Sequence, residues 1–244
     1  MEKIEALAAA LNKSKRLVVF TGAGISCPSG IPDFRSADGL YNRKTNLRYA
    51  PEQIISHSFF ERDPDLFYTF YKSAMVYPDA KPNAAHRFFA ALEAPGREVT
   101  VVTQNIDGLH QAAGSSRVLE LHGSIHRNFC QRCGKAFSLD EILAQPGVPH
   151  CDCGGIIKPD VVLYEEPLDD NTVWQAVCAI EQADVMVIVG TSLAVYPAAS
   201  YLRYFRGDSL ILINKSETPY DGRADLAFHE DVVAVVNAVQ SQMQ

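Results

Sequence analysis

An α/β fold built on one parallel sheet, with a smaller domain inserted into it, is what the 244-residue sequence predicts. Three observations carry that expectation. Apolar runs rich in β-branched residues recur at 16–21, 98–103, 117–121, 184–190 and 209–213. Helix-like amphipathic stretches at 83–93, 171–182 and 197–205 alternate with them, the pattern of parallel strands covered on both faces. Two regions, 39–80 and 127–158, break the rhythm. The first is aromatic-rich, with helices expected over 51–56 and 64–76, and the second holds four of the six cysteines. We read both as insertions packed together as a small domain, which leaves 1–38, 81–126 and 159–244 to a Rossmann-like large domain.

Taken in order, residues 2–12 place Ile4, Leu7, Ala8 and Leu11 on one stripe among Glu2, Lys3 and Glu5. That is a helix period and not the continuous apolar stretch of a signal peptide. No run approaches the ~20 apolar residues that cross a bilayer, so a soluble cytoplasmic protein is expected. Next, Val18, Val19 and Phe20 stop abruptly at Gly22-Ala23-Gly24, as a strand does before a phosphate-binding turn. The usual dinucleotide fingerprint would then place glycine at position 27 and start a long helix. Here the residue is Cys27, and Pro28, Gly30 and Pro32 forbid that helix. The turn is kept and the helix is discarded.

The cysteines are spaced Cys130-x2-Cys133-x17-Cys151-x-Cys153. A Cys-x2-Cys turn puts two thiolates on one side of a tight bend, and without an export signal such clustering favours zinc over disulfides. The second pair is one residue tighter, and Gly154-Gly155 follows to absorb the strain. Four thiolates leave no open coordination position, so the zinc is expected to be structural. Nucleic-acid binding is not expected. The chain carries 29 acidic against 22 basic residues, a net charge of −7, and in the cysteine region Arg127, Arg132, Lys135 and Lys158 face Asp140, Glu141 and Asp152 and the net −2 of a zinc tetrathiolate, which is no basic footprint. An acidic protein suits a cationic partner such as a lysine-rich peptide.

Ligands of an open parallel sheet bind beyond the carboxyl ends of its strands. There the sequence places Thr103-Gln104-Asn105-Ile106-Asp107, His122-Gly123, Gly190-Thr191-Ser192 and Asn214-Lys215-Ser216. Small hydrogen-bonding residues at so many strand ends point to a bound polar ligand. His122, followed by glycine, is expected to project into the crevice as a general base. His110 is expected to orient the 104–107 loop, and His126 to lie on the way into the cysteine module.

These residues resemble one family. Gly22-Ala23-Gly24-Ile25-Ser26, Gly30-Ile31-Pro32-Asp33-Phe34-Arg35, Thr103-Gln104-Asn105-Ile106-Asp107, His122-Gly123 and the four cysteines are similar to the motifs of the sirtuins, NAD-dependent protein lysine deacylases. The order and spacing agree from about 16 to 236. The resemblance implies that the backbone at Gly22, Ala23 and Gly24 approaches the pyrophosphate, that Ser26 adds a hydroxyl, and that a mobile cofactor loop follows. It implies that Phe34 shields the reacting ribose carbon and that Arg35 helps hold NAD+. Ile106 and Asp107 would grip the carboxamide of nicotinamide, and Gln104 and Asn105 the ribose and an ordered water. His122 would take a proton from the ribose hydroxyls, with Asn105 and Asp107 beside it in the catalytic set. Gly190, Thr191, Ser192, Asn214, Lys215 and Asp231 would bind the phosphate and adenosine half. Cys130, Cys133, Cys151 and Cys153 would hold Zn2+.

The resemblance further implies an acetyl-lysine peptide added as a strand between 158–166 and 193–196. Many relatives have glycine in the first of these segments, where this chain reads Tyr164-Glu165-Glu166. The two carboxylates would favour basic residues flanking the target lysine, or form a solvated loop. Relatives that remove succinyl groups resemble one another in a Tyr-x-x-Arg pair, which this chain replaces with Thr69 and Lys72, so succinyl-lysine is expected to be a poor substrate. The alternatives are a mono-ADP-ribosyltransferase, an NAD-dependent oxidoreductase, which the residue at 27 disfavours, and a zinc-ribbon binding module, which leaves the strand ends unexplained.

Overall fold

The computed structural model describes residues 1–34, 39–40, 48–194 and 196–243. Its strands are β1 (Arg16–Thr21), β2 (Glu98–Thr103), β3 (Val118–Glu120), β4 (Gly123–Cys130), β5 (Ala136–Phe137), β6 (Ile157–Val161), β7 (Val185–Val189), β8 (Ser209–Ile213) and β9 (Leu226–Phe228). Its helices are α1 (Glu2–Lys13), α2 (Pro51–Ile54), α3 (His57–Arg62), α4 (Pro64–Phe70), α5 (Ala84–Ala91), α6 (Leu109–Ala112), α7 (Leu139–Leu143), α8 (Asp170–Gln182) and α9 (Val232–Gln242). Six strands form one parallel sheet in the order β3-β2-β1-β7-β8-β9. A second, antiparallel sheet has the order β5-β4-β6.

The main sheet is buried on both faces because its strands alternate two apolar sets. Leu17 and Val19 of β1 join Val101, Val187 and Ile211 under α1, α5 and α9. Val18 and Phe20 join Val102, Met186, Ile188 and Leu212 under α8 and the segment 198–204. Each such buried side chain contributes about 1.5–3 kcal/mol, which is why the strands read as continuous apolar runs.

A separate apolar cluster joins the regions 39–80 and 127–158. Ile54, Phe59, Phe67 and Tyr68 of the helical region pack with Ile125, Leu139, Ile142 and Ile157 around the cysteine module. The sequence anticipated one helix over 64–76, whereas α4 ends at Phe70 and a π turn covers Tyr71–Met75. The wider turn keeps Tyr71 fully buried and stacked on Phe67, with centroids 5.7 Å apart. The stretch at 197–205 likewise winds as a 3-10 helix, Ala198–Tyr204. No helix among the described residues is long and apolar enough to cross a membrane.

Candidate active site at the strand ends

Strand order reverses between β1 and β7, with β2 and β3 on one side and β8 and β9 on the other. The crevice outside the carboxyl ends at such a reversal is where open sheets bind ligands. Two loops meet there. The Gly22 N–H donates to Val189 O at 3.0 Å, and the Gly24 N–H to Gly190 O at 2.8 Å. A Cβ on Gly24 would lie 2.7 Å from Gly190 Cα, and one on Gly190, at φ +59°, only 2.4 Å from Ile25 N. These glycines are therefore required by the packing of loop on loop, before any ligand is considered. No long helix follows; two 3-10 turns, Ala23–Ile25 and Cys27–Ser29, end at Gly30 with φ +87°.

The 104–107 loop is tied to this turn. Asn105 Nδ2 donates to Gly22 O at 3.2 Å and to Ser26 Oγ at 3.1 Å, and Ser26 Oγ donates to Asp107 Oδ2 at 2.6 Å. Ser26 is fully buried beside the turn, and Asp107 is the acceptor of its hydroxyl. Asp107 Oδ1 accepts the Leu109 N–H at 2.9 Å. Burial pushes the Asp107 carboxyl up, against the pull of the Ser26 and Leu109 bonds. Gln104 Nε2 donates to Thr191 Oγ1 at 3.1 Å, which joins the ends of β2 and β7.

His122 follows β3, and its Nδ1 lies 2.9 Å from Gln104 O. A carbonyl only accepts, so the proton sits on Nδ1 and the Nε2 lone pair is left free to act as a base. Burial holds the ring below the usual 6.5, although the bond to Gln104 opposes it, so the ring is neutral at neutral pH.

His126 lies on β4, the strand that runs into the cysteine module, as expected from the sequence, and it also meets the 104–107 loop. His126, not His110, touches the loop directly, with Nε2 3.1 Å from Asp107 O. Gly108, at φ +71°, makes room for it, since a Cβ there would lie 2.7 Å from the His126 ring. His110 is buried beneath β1, bonded to Thr21 Oγ1 at 3.0 Å. No spacing rule connects 108 with 126; only the fold brings them together.

At the far end of the crevice, Lys215 pairs with Asp231 at 3.0 Å, and Asp231 also caps α9 through the Val233 N–H at 2.9 Å. Asn214 Nδ2 donates to Ser216 O at 2.7 Å. Ser192 is exposed and Thr191 buried, while Phe34 and Ile106 pack against the cluster of the helical insertion. Arg35 lies outside the described residues.

Both carboxylates beside the expected peptide groove have partners within the protein, and only Glu166 is paired with a lysine. Glu166 bonds Lys158 Nζ at 3.1 Å, the Leu163 N–H at 2.8 Å and His57 Nδ1 at 2.9 Å. Glu165 accepts from the Ser58 N–H and hydroxyl at 2.9 and 3.0 Å, and so caps α3. Its φ of +75° is a conformation in which glycine is unstrained. Lys72 Nζ donates to Gln145 O and Gly147 O at 2.6 and 2.9 Å, and Thr69 Oγ1 to Asp65 O at 2.8 Å.

The four sulfurs of Cys130, Cys133, Cys151 and Cys153 lie within 4.8 Å of one another. Cys130–Cys153 and Cys133–Cys151 are separated by 3.4 and 3.7 Å, near the spacing of about 3.8 Å that tetrahedral Zn–S bonds of ~2.3 Å impose. A Cβ on Gly155 would strike Cys130 Sγ at 2.7 Å, so the second turn must be glycine to bring the pairs together. Donor set and cradle fit a structural zinc.

Residues 22–197 match the family model described as the Sir2 family. The chain belongs to the Sir2 family. It is 54% identical over 240 residues, 98% of each chain, to an NAD-dependent protein deacetylase of Clostridium perfringens (strain 13 / Type A). It is 43% identical over 240 residues to one of Staphylococcus aureus (strain N315), again over 98% of each chain. Among solved structures, it superposes on a Sir2–p53 peptide–NAD+ complex with TM-score 0.85 at 38% identity over 97% of each chain. It also superposes on a Sir2 variant with deacetylated p53 peptide and 3′-O-acetyl ADP-ribose, with TM-score 0.88 at 38% identity over 98% of each chain.

Proposed function

We propose that this chain is an NAD-dependent protein lysine deacetylase. It transfers the acyl group of an acyl-lysine peptide to ADP-ribose and releases nicotinamide and 2′-O-acyl-ADP-ribose. The observation that carries this reading is His122: a neutral ring whose Nδ1 proton is fixed by Gln104 O, with Nε2 left to accept a proton. NAD+ supplies the ribose carbon that receives the acyl oxygen.

The chain's own residues bind, orient and exclude water. Residues 22–24 and 190–192 seat the pyrophosphate, and Asn214, Lys215 and Asp231 the adenosine half. Gln104 and Asn105 hold the ribose, while Ile106 and the fixed Asp107 carboxyl hold the carboxamide. Phe34 covers the reacting carbon, and Arg35 reaches the cofactor. The acetyl-lysine peptide lies as an added strand between 158–166 and 193–196. Zinc on the four cysteines orders the small domain, and the division into 1–38, 81–126 and 159–244 against 39–80 and 127–158 is part of the same proposal. Six cysteines without a disulfide among them support a cytoplasmic location as part of the same proposal.

Mass spectrometry of an acetyl-lysine peptide incubated with NAD+ tests the reading. Equal amounts of deacetylated peptide, nicotinamide and O-acetyl-ADP-ribose are expected. Transfer of ADP-ribose to protein with the acetyl group retained would establish the ADP-ribosyltransferase instead.

A further inference from the structure

Two histidines outside the proposed chemistry, His86 and His110, are buried side by side beneath the site. Each is at most 1% exposed, and their ring centroids are 4.9 Å apart. Each ring has one bonded nitrogen. The other, His86 Nε2 or His110 Nδ1, is buried with no partner among the described residues.

The bonded nitrogens fix the tautomers. His86 Nδ1 accepts the Asn83 N–H at 3.3 Å, which leaves the proton of a neutral ring on Nε2. His110 Nε2 lies 3.0 Å from Thr21 Oγ1, which is 2.8 Å from Thr103 Oγ1. Thr103 Oγ1 in turn accepts the Asn105 N–H at 3.0 Å. A proton on His110 Nδ1 would leave two buried N–H donors on adjacent rings with nothing to accept them. With the proton on Nε2, His110 donates to Thr21 and Thr21 to Thr103. His110 Nδ1 then offers the lone pair that the His86 N–H lacks. Burial keeps both rings neutral, lowering His86 to about 4 and His110 to about 3.

We propose that Asn83, His86, His110, Thr21 and Thr103 form one directional hydrogen-bond relay, closed between the two rings through one water, that positions the Asn105 backbone for the reaction. His110 and Thr21 are thereby positioning residues. Asn83 extends the relay to the cofactor turn, because its Nδ2 donates to Ile25 O at 2.8 Å and to Ser29 Oγ at 2.9 Å. Polar networks of this kind specify one arrangement because every member depends on its neighbours. The catalytic consequence rests on the deacetylase reading; the relay itself does not.

Two arms test it. Long-range 1H–15N correlation spectra of the substrate-free protein at pH 7 report the imidazole tautomers. Neutral Nε2–H rings at both His86 and His110 are expected, and an Nδ1–H or doubly protonated His110 would overturn the relay. In the second arm, Thr21→Val, His110→Leu and the double variant are compared through kcat and KM for NAD+. Each single change is expected to lower kcat/KM about tenfold by misplacing the loop, and the double variant no further, because both cut one chain. Thr21→Ser, which keeps the hydroxyl, should restore most of the loss. Multiplying losses, or a Thr21→Val enzyme with parental kcat/KM, would overturn the proposal. Should His110→Leu fail to fold, the Thr21 pair and the tautomers decide. A parent protein without deacetylation counts against the proposed function, and the tautomers still decide the relay.

Discussion

Four thiols from two short turns, Cys130/Cys133 and Cys151/Cys153, tie the cysteine module together, whereas the strand-end site is held by single side chains from many segments. Gln104 reaches Thr191, Asn105 reaches Gly22, and His122 reaches Gln104. The first region concentrates its order in one ligand set, so losing one ligand loses all of it. The second spreads its order over bonds worth about 1 kcal/mol each, so a single change should alter chemistry before it alters the fold.

Cys130→Ala should have the largest effect. The variant is expected to lose zinc, unfold the small module and abolish activity, as read by elemental analysis and a thermal melt. A metal-free, active variant would refute the assignment of zinc.

Gly190→Ala attacks the other region where it is least tolerant. The added Cβ falls 2.4 Å from Ile25 N at a φ of +59°, and a loss of about 2–4 kcal/mol in urea unfolding is expected. A change under about 1 kcal/mol would mean that the two loops can separate at little cost.

The contrast also explains what the sequence made legible. The strand ends could be located because doubly covered strands are continuously apolar, and the cysteines because metal ligands obey local spacing. Other features carry no such pattern. The strand Leu226–Phe228 is three residues long, too short to show a period. The π turn at Tyr71–Met75 depends on Phe67 beneath it. The inward turn of the Ser26 hydroxyl, the contact of His126 with Asp107 O and the burial of His110 each join residues 18 or more apart in sequence. The motifs mark which residues belong to the site, but not which of them face one another.

Acyl selectivity should show a smaller effect. Lys72 is bonded to two backbone carbonyls, which a buried succinyl carboxylate would have to displace to reach its ammonium. On one peptide, kcat/KM for succinyl-lysine is expected at least about tenfold below that for acetyl-lysine, a difference of roughly 1.4 kcal/mol. Equal rates would mean that Lys72 leaves the Gln145 and Gly147 carbonyls for the substrate. Glu165→Gly should matter least: relief of the φ +75° backbone offsets the lost cap on α3, and stability should stay within about 1 kcal/mol of the parent. A larger loss would show that the cap dominates.

The central claim is that His122 is the base of a lysine deacetylase, and turnover of His122→Ala measures it most directly. The variant should melt at the parental Tm while its deacetylation rate falls ~10²–10⁴-fold. In the parent, the acid limb of kcat/KM should lie below pH 6.5, because burial lowers the His122 pKa, and the limb should vanish from the variant's residual rate. A folded His122→Ala protein that deacetylates at near-parental rate, with the acid limb unchanged, would contradict the assignment.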